Sequence, residues 1–93
     1  MRVISRKKLR EFAAAHPQAE APLDQWYRVA RAAEWQSHGD VHRVYGSADR
    51  VGKYTVFNIG GNKYRLVVEI NHDKGRVFVR HVFTHREYDD WKP

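Results

Sequence analysis

Tyr54-Thr55-Val56-Phe57-Asn58-Ile59-Gly60-Gly61-Asn62-Lys63-Tyr64-Arg65-Leu66-Val67-Val68-Glu69-Ile70 is the stretch on which the fold turns. β-Branched and aromatic residues crowd both halves, and Gly60-Gly61-Asn62 between them provides the residues that tolerate the left-handed backbone of a hairpin turn. The two halves therefore predict antiparallel strands over residues 54–59 and 64–70. Side chains alternate across a strand, so Tyr64, Leu66, Val68 and Ile70 share one face, and Arg65, Val67 and Glu69 the other. Arg65 is thereby expected off the main apolar stripe. A second turn, Asn71-His72-Asp73-Lys74-Gly75, leads into another β-rich run over residues 76–84, which extends the pair into an antiparallel meander. Thr84-His85-Arg86-Glu87 then has the spacing of a capping box and predicts a short C-terminal helix carrying Tyr88 and Trp91.

On the N-terminal side the period changes to that of helices. Residues 1–4 predict a short first strand. Ser5 is placed as an N-cap, with Ile4 and Leu9 spaced as a hydrophobic staple. Leu9, Phe12, Ala13 and His16 recur on one helical face, and Pro17 ends that helix near Ala15. A second helix is expected to begin around residues 22–24 and to reach about Gln36, with Trp26, Val29, Ala30 and Ala33 as its buried stripe. From residue 37 to 52 the apolar period breaks at Gly39, Gly46 and Gly52, which predicts a long surface loop.

A chain of 93 residues supports one hydrophobic core, so residues 1–93 are read as a single domain of the α+β class. The absence of cysteine removes disulfide scaffolds, thiolate metal sites and cysteine nucleophiles from consideration, and fits a cytoplasmic setting. No apolar run is long enough for a signal-peptide core or a membrane span. With 17 Lys and Arg against 11 Asp and Glu, the formal net charge of +6 favours a polyanionic partner such as nucleic acid. His38 and His42, and likewise His81 and His85, are four apart, yet no third residue has recognisable ligand spacing, so no metal site is expected. Gly60-Gly61 lacks the strand-to-helix context of a phosphate-binding loop, and a hairpin turn accounts for it.

The segment from Val56 to Val67, followed by Val79-Arg80 and Thr84-His85-Arg86-Glu87-Tyr88-Asp89, resembles the HigB-type toxins of the RelE-like superfamily. The resemblance runs over nearly the whole chain. It implies a small antiparallel sheet packed against two N-terminal helices, with a short C-terminal helix. It also implies an endoribonuclease, an mRNA interferase of a type II toxin–antitoxin system. Such an enzyme cleaves mRNA on the ribosome without metal or other cofactor and is restrained by a cognate helix-turn-helix antitoxin of the HigA kind.

The reaction so implied is attack of a ribose 2′-hydroxyl on the adjacent phosphate, which needs a proton acceptor, a proton donor and cations facing the phosphorane. Arg65 matches the superfamily's strand arginine, whose guanidinium offers phosphate a planar fork; otherwise it is an ordinary exposed strand arginine. His85 and Tyr88, spaced i, i+3 at the start of the last helix, can face one point, where the imidazole exchanges protons and the phenol donates or stacks. Their alternative is a plain helix cap with Tyr88 and Trp91 packing on the sheet. Where the RelE pattern carries lysines before the double glycine, this chain has Val56 and Asn58, so their work must pass to other residues, such as His81, His85 or Lys53, or be weakened. Asn58, Lys53, Lys63, Arg80 and His81 are the further candidates for RNA phosphates; Arg80 and Lys63 could equally be solvated charges. The expected cleft is the sheet face away from the two helices, together with the C-terminal helix. Two rival functions use the same basic surface: a non-catalytic RNA- or ribosome-binding module, and an interaction protein with an acidic partner.

Overall fold

A computed structural model describes all residues, 1–93. The order of elements is β1 (Arg2–Ile4), α1 (Arg6–Ala15), a 3-10 turn at Pro17–Ala19, α2 (Glu20–Ala32), α3 (His38–Val44), β2 (Asp49–Val51), β3 (Tyr54–Ile59), β4 (Tyr64–Asn71), β5 (Arg76–Thr84) and α4 (His85–Asp90). The five strands form one sheet in the order β1-β5-β4-β3-β2. The meander is antiparallel from β2 to β5, and β1 joins the far edge parallel to β5, with Arg2 opposite Arg76.

The helical half follows its local signals. Ser5 Oγ accepts a hydrogen bond from the Lys7 N–H at 3.2 Å, which opens α1, and the helix closes at Ala15 ahead of Pro17. α2 starts earlier than its sequence suggests, because the 3-10 turn runs directly into Glu20 and leaves Pro22 inside the first turn, where proline costs no hydrogen bond. It also stops four residues short of Gln36. Ala33 is extended, which swings Trp35 into the core at 3% exposure against Tyr45 and Phe57. The N-terminal ammonium donates to the Arg31 and Ala33 carbonyls, so the ended helix keeps its last acceptors satisfied.

Residues 37–52 are not the long loop that their glycines predict. They hold α3 and β2. Ser37 Oγ accepts from the Asp40 N–H at 3.3 Å while Asp40 Oδ2 accepts from the Gln36 N–H at 3.0 Å, and this reciprocal cap starts a helix whose one buried anchor is Val41. A single anchor in seven residues leaves no period to detect.

The core lies between the helices and one sheet face: Leu9, Leu23, Trp26 and Ala30 meet Phe57, Ile59, Leu66, Val68, Val77 and Val79. Trp26 and Phe57 pack edge to face at 5.4 Å. Along β5 the register slips once. Val68 pairs with Val79 and Val67 with His81, so Arg80 is an extra residue in the strand. Such a β-bulge sets adjacent side chains on the same side of the sheet. Val77, Val79 and Val82 therefore belong to the core cluster or pack against it, while Arg80 and His81 both serve the other face.

Candidate active site on the second sheet face

The face turned away from α1 and α2 carries Val56 and Asn58 from β3, Arg65, Val67 and Glu69 from β4, and Phe78, His81 and Phe83 from β5. It is partly roofed by the C-terminal segment. Trp91 lies across Tyr54 at 5.2 Å, His81 at 5.5 Å and Phe83 at 5.8 Å, and Tyr88 adjoins it at 5.9 Å. The His81 ring stacks on Phe83, with centroids 5.0 Å apart. α4 reaches this position because the Thr84–Glu87 capping box forms as expected: Glu87 Oε1 accepts from the Thr84 N–H and Thr84 Oγ1 from the Glu87 N–H. The His85 N–H also donates to the Lys63 carbonyl, which ties the helix start to the β3–β4 turn.

Arg65 alternates away from the helix-side core as predicted, but it is not an exposed strand arginine. Only 9% of it is accessible, because Tyr88, Phe83 and the β3–β4 turn surround it. Nη1 donates to the Asn62 carbonyl at 3.1 Å and to the Tyr64 carbonyl at 3.2 Å, and Nη2 donates to Asn62 Oδ1 at 2.6 Å. Asn62 can present both acceptors because its φ of +85° folds it back over the strand. A guanidinium has five N–H donors, so these bonds leave one on Nε and one on Nη2. Those two share an edge of the plane and form a two-pronged anion fork. The Tyr88 ring lies 5.7 Å from the guanidinium carbon.

His85 is half-exposed, and its Nδ1 lies 3.3 Å from Asp89 Oδ2. An Nδ1–H donated to that carboxylate leaves Nε2 as the acceptor, the tautomer a proton-accepting imidazole requires. Asp89 was missing from the sequence candidates, although its i, i+4 spacing from His85 was there to be read. Asn62, Phe83 and Tyr54 were also missed, because their roles come from the turn and from cross-strand neighbours.

The remaining candidates divide by position. Asn58 sits directly opposite Arg65, and Lys63 is exposed in the adjoining turn. Lys53 and Arg80 lie toward the other end of the sheet and share Glu69, at 3.8 and 2.9 Å. His81 stands between the two groups. Burial, then the cations of Lys8 and Arg80, hold its imidazolium below the usual histidine range. The rings of His38 and His42 are 6.1 Å apart, and no three His, Asp or Glu side chains converge where a metal could sit. No helix is long and apolar enough to cross a membrane.

Residues 19–91 match the HigB toxin family, described as the RelE-like toxic component of a toxin–antitoxin system. The chain is 29% identical over 92 residues to an mRNA interferase HigB of Escherichia coli, covering 96% of this chain and 89% of that one. An mRNA interferase HigB of Shigella flexneri is similar at 29% identity, with 96% and 88% covered.

Proposed function

We propose, since this chain belongs to the HigB family of RelE-like toxins, that it stops translation by cutting mRNA on the ribosome. The mRNA interferase names of its relatives support the RNA-cutting part of that reading. In the proposed reaction a ribose 2′-oxygen bonds to the adjacent phosphorus while the bond from phosphorus to the 5′-oxygen breaks. The products are a 2′,3′-cyclic phosphate and a 5′-hydroxyl, and each proton taken from the 2′-hydroxyl is matched by one given to the leaving oxygen.

The observation that carries this reading is the free Nε/Nη2 edge of Arg65, held beside Tyr88 at the foot of the helix that bears His85. The guanidinium faces the phosphorane charge, and a preorganised donor of this kind is worth ~10²–10³ in rate. His85, oriented by Asp89, exchanges the proton through Nε2, and Tyr88 donates from its phenol or stacks on a base. Asn58 and Lys63 hold the phosphate nearest Arg65; His81, Arg80 and Lys53 hold the backbone farther along the face. The family reading also implies a helix-turn-helix antitoxin as partner and the cytoplasm as the place of action.

The aromatic shelf of Tyr54, Phe83 and Trp91 would serve a non-catalytic RNA-binding module equally well. A purified translation reaction programmed with one message separates the readings. Cleavage with cyclic-phosphate ends is expected; intact message favours the binding module, and 3′-hydroxyl with 5′-phosphate ends overturns the mechanism.

A further inference from the structure

At the opposite end of the sheet from the Asn62 turn, a cavity of about 240 Å³ opens beneath α3 and between the β2–β3 and β4–β5 turns. Its lining includes Ser37, His38, Arg50, Lys53, Thr55 and His72, and no carboxylate. The Arg50 guanidinium forms no ion pair; only its backbone N–H meets a carboxylate, donating to Asp49 Oδ1 at 2.9 Å. Thr55 is buried and brings a hydroxyl to the wall. His72 is fixed, with Nδ1 donating to the Trp35 carbonyl at 2.8 Å, which leaves Nε2 for another partner. His38 Nδ1 is buried and has no partner at all. A buried polar atom left unpaired is costly, and this one belongs to a side chain that borders the cation-lined cavity. Burial, then the Arg50 cation and the His42 and His72 imidazoles, hold the His38 imidazole below the usual histidine range; Asp49 alone opposes them.

The cavity is not closed off from the Arg65 face. A groove lined by Arg50, Lys53, Glu69, Asn71, His72 and Arg80 runs from it around the sheet end. Ile70, which lines both, is five residues along β4 from Arg65. At ~3.3 Å per strand residue that is roughly 17 Å, too far for one phosphate to touch both sites.

The geometry points to a second phosphate subsite in this cavity, built by His38, Arg50, Lys53 and His72, that grips the backbone of an RNA strand at a distance from the one being cut. Arg50 supplies the planar fork, Lys53 exchanges Glu69 for the phosphate, Thr55 and His38 donate from the floor, and His72 donates through Nε2 in its imidazolium form, since Nδ1–H is held by the Trp35 carbonyl. The ligand class rests on the RNA-cutting reading of this chain; the cavity and its charge do not.

Two measurements on the full chain test it. In the first, inorganic phosphate is titrated into the wild-type protein while the imidazole ¹⁵N resonances are followed. Saturable shifts at both His38 and His72 are expected, and their absence overturns the subsite. In the second, fluorescence anisotropy follows a labelled oligoribonucleotide, 2′-O-methylated so that it cannot be cut, across a range of salt. Arg50→Ala should weaken binding about tenfold and lower the log–log salt slope by about 0.7, as for one lost single-strand phosphate contact. Arg50→Lys should keep the slope. An RNA affinity indifferent to Arg50 overturns the proposal, and so does a poly-glutamate peptide that shifts His38 and His72 when RNA does not, which would assign the cavity to an acidic protein. Failure of the wild type to cut ribosome-bound mRNA would instead remove the functional reading, whatever these two measurements give.

Discussion

Arg65→Ala removes a side chain that is both buried and aimed at the proposed phosphate, so its two effects must be weighed against each other. The structural loss is three hydrogen bonds and the contact with Tyr88. Asn62 is exposed, so its two oxygens rehydrate, and the summed cost comes to about 2–3 kcal/mol. This exceeds the ~0.5 kcal/mol of an ordinary surface truncation, which an exposed Arg65 would have predicted. Against a native stability of ~5–15 kcal/mol the variant is still over ~95% folded at 25 °C. Unfolding therefore accounts for much less than a twofold loss of activity. The missing donor accounts for ~10²–10³-fold. Arg65→Lys should recover part of both, since an ammonium can keep one bond to Asn62 but cannot offer the planar edge. The assay is single-turnover cleavage on programmed ribosomes, beside thermal unfolding of the same preparations. Cleavage by Arg65→Ala within a few-fold of wild type would remove Arg65 from the reaction and refute the reasoning from its free edge.

Asp89→Asn should lower the cleavage rate about tenfold with RNA affinity unchanged, because a neutral amide orients the His85 tautomer less firmly, whereas His85→Ala should cost ~10² or more; wild-type rates for Asp89→Asn would show that the His85–Asp89 contact is incidental. Thr84→Ala breaks the capping box of α4 and should cost about 1 kcal/mol, a fall in Tm of roughly 4–8 °C, together with activity, since His85 and Tyr88 ride on that helix. Calorimetry that finds no change in Tm would contradict the cap's role. His38 and His81 both have imidazolium forms disfavoured by folding, so below about 6.5, the ordinary histidine value, the unfolded chain binds more protons than the native one. Stability should therefore fall as pH drops through that value toward the lower native ones, and stay flat with respect to these two groups above it. Urea unfolding between pH 5 and 8 checks the sign, and His81→Phe should flatten part of the slope.

The alternation in β4 was legible, because Tyr64, Leu66 and Val68 fix the parity of Arg65 against a strongly apolar neighbour set. What covers Arg65 was not, because Tyr88 and the Asn62 turn reach it from other elements, and no local period encodes a roof. The bulge at Arg80 was invisible for a different reason. Val79-Arg80-His81-Val82 reads as an ordinary strand, and only the register against Val67 and Val68 reveals the extra residue. His85–Asp89 was present as an i, i+4 pair and Thr84–Glu87 as a cap, so α4 and its dyad were available from spacing alone. α3 and the cavity under it were not: with Val41 as the only buried anchor and Gly39 within it, that helix shows no apolar stripe. The parallel seat of β1 lay equally out of reach, since its partner is more than seventy positions away, at Arg76.

That seat governs when the protein comes into being. A chain is synthesised from its N-terminus, and Arg2–Ile4 has no strand to lie against until Arg76–Thr84 has emerged. The central strand β4 likewise waits for β5, and the helix that completes the Arg65 surroundings follows later still. Because the loop closures are long, their entropy must be met before the distant contacts repay it, and the sheet cannot be completed until β5 is available. The surroundings of Arg65 thus come together only at folding, after the residues of β5 and α4 have been added.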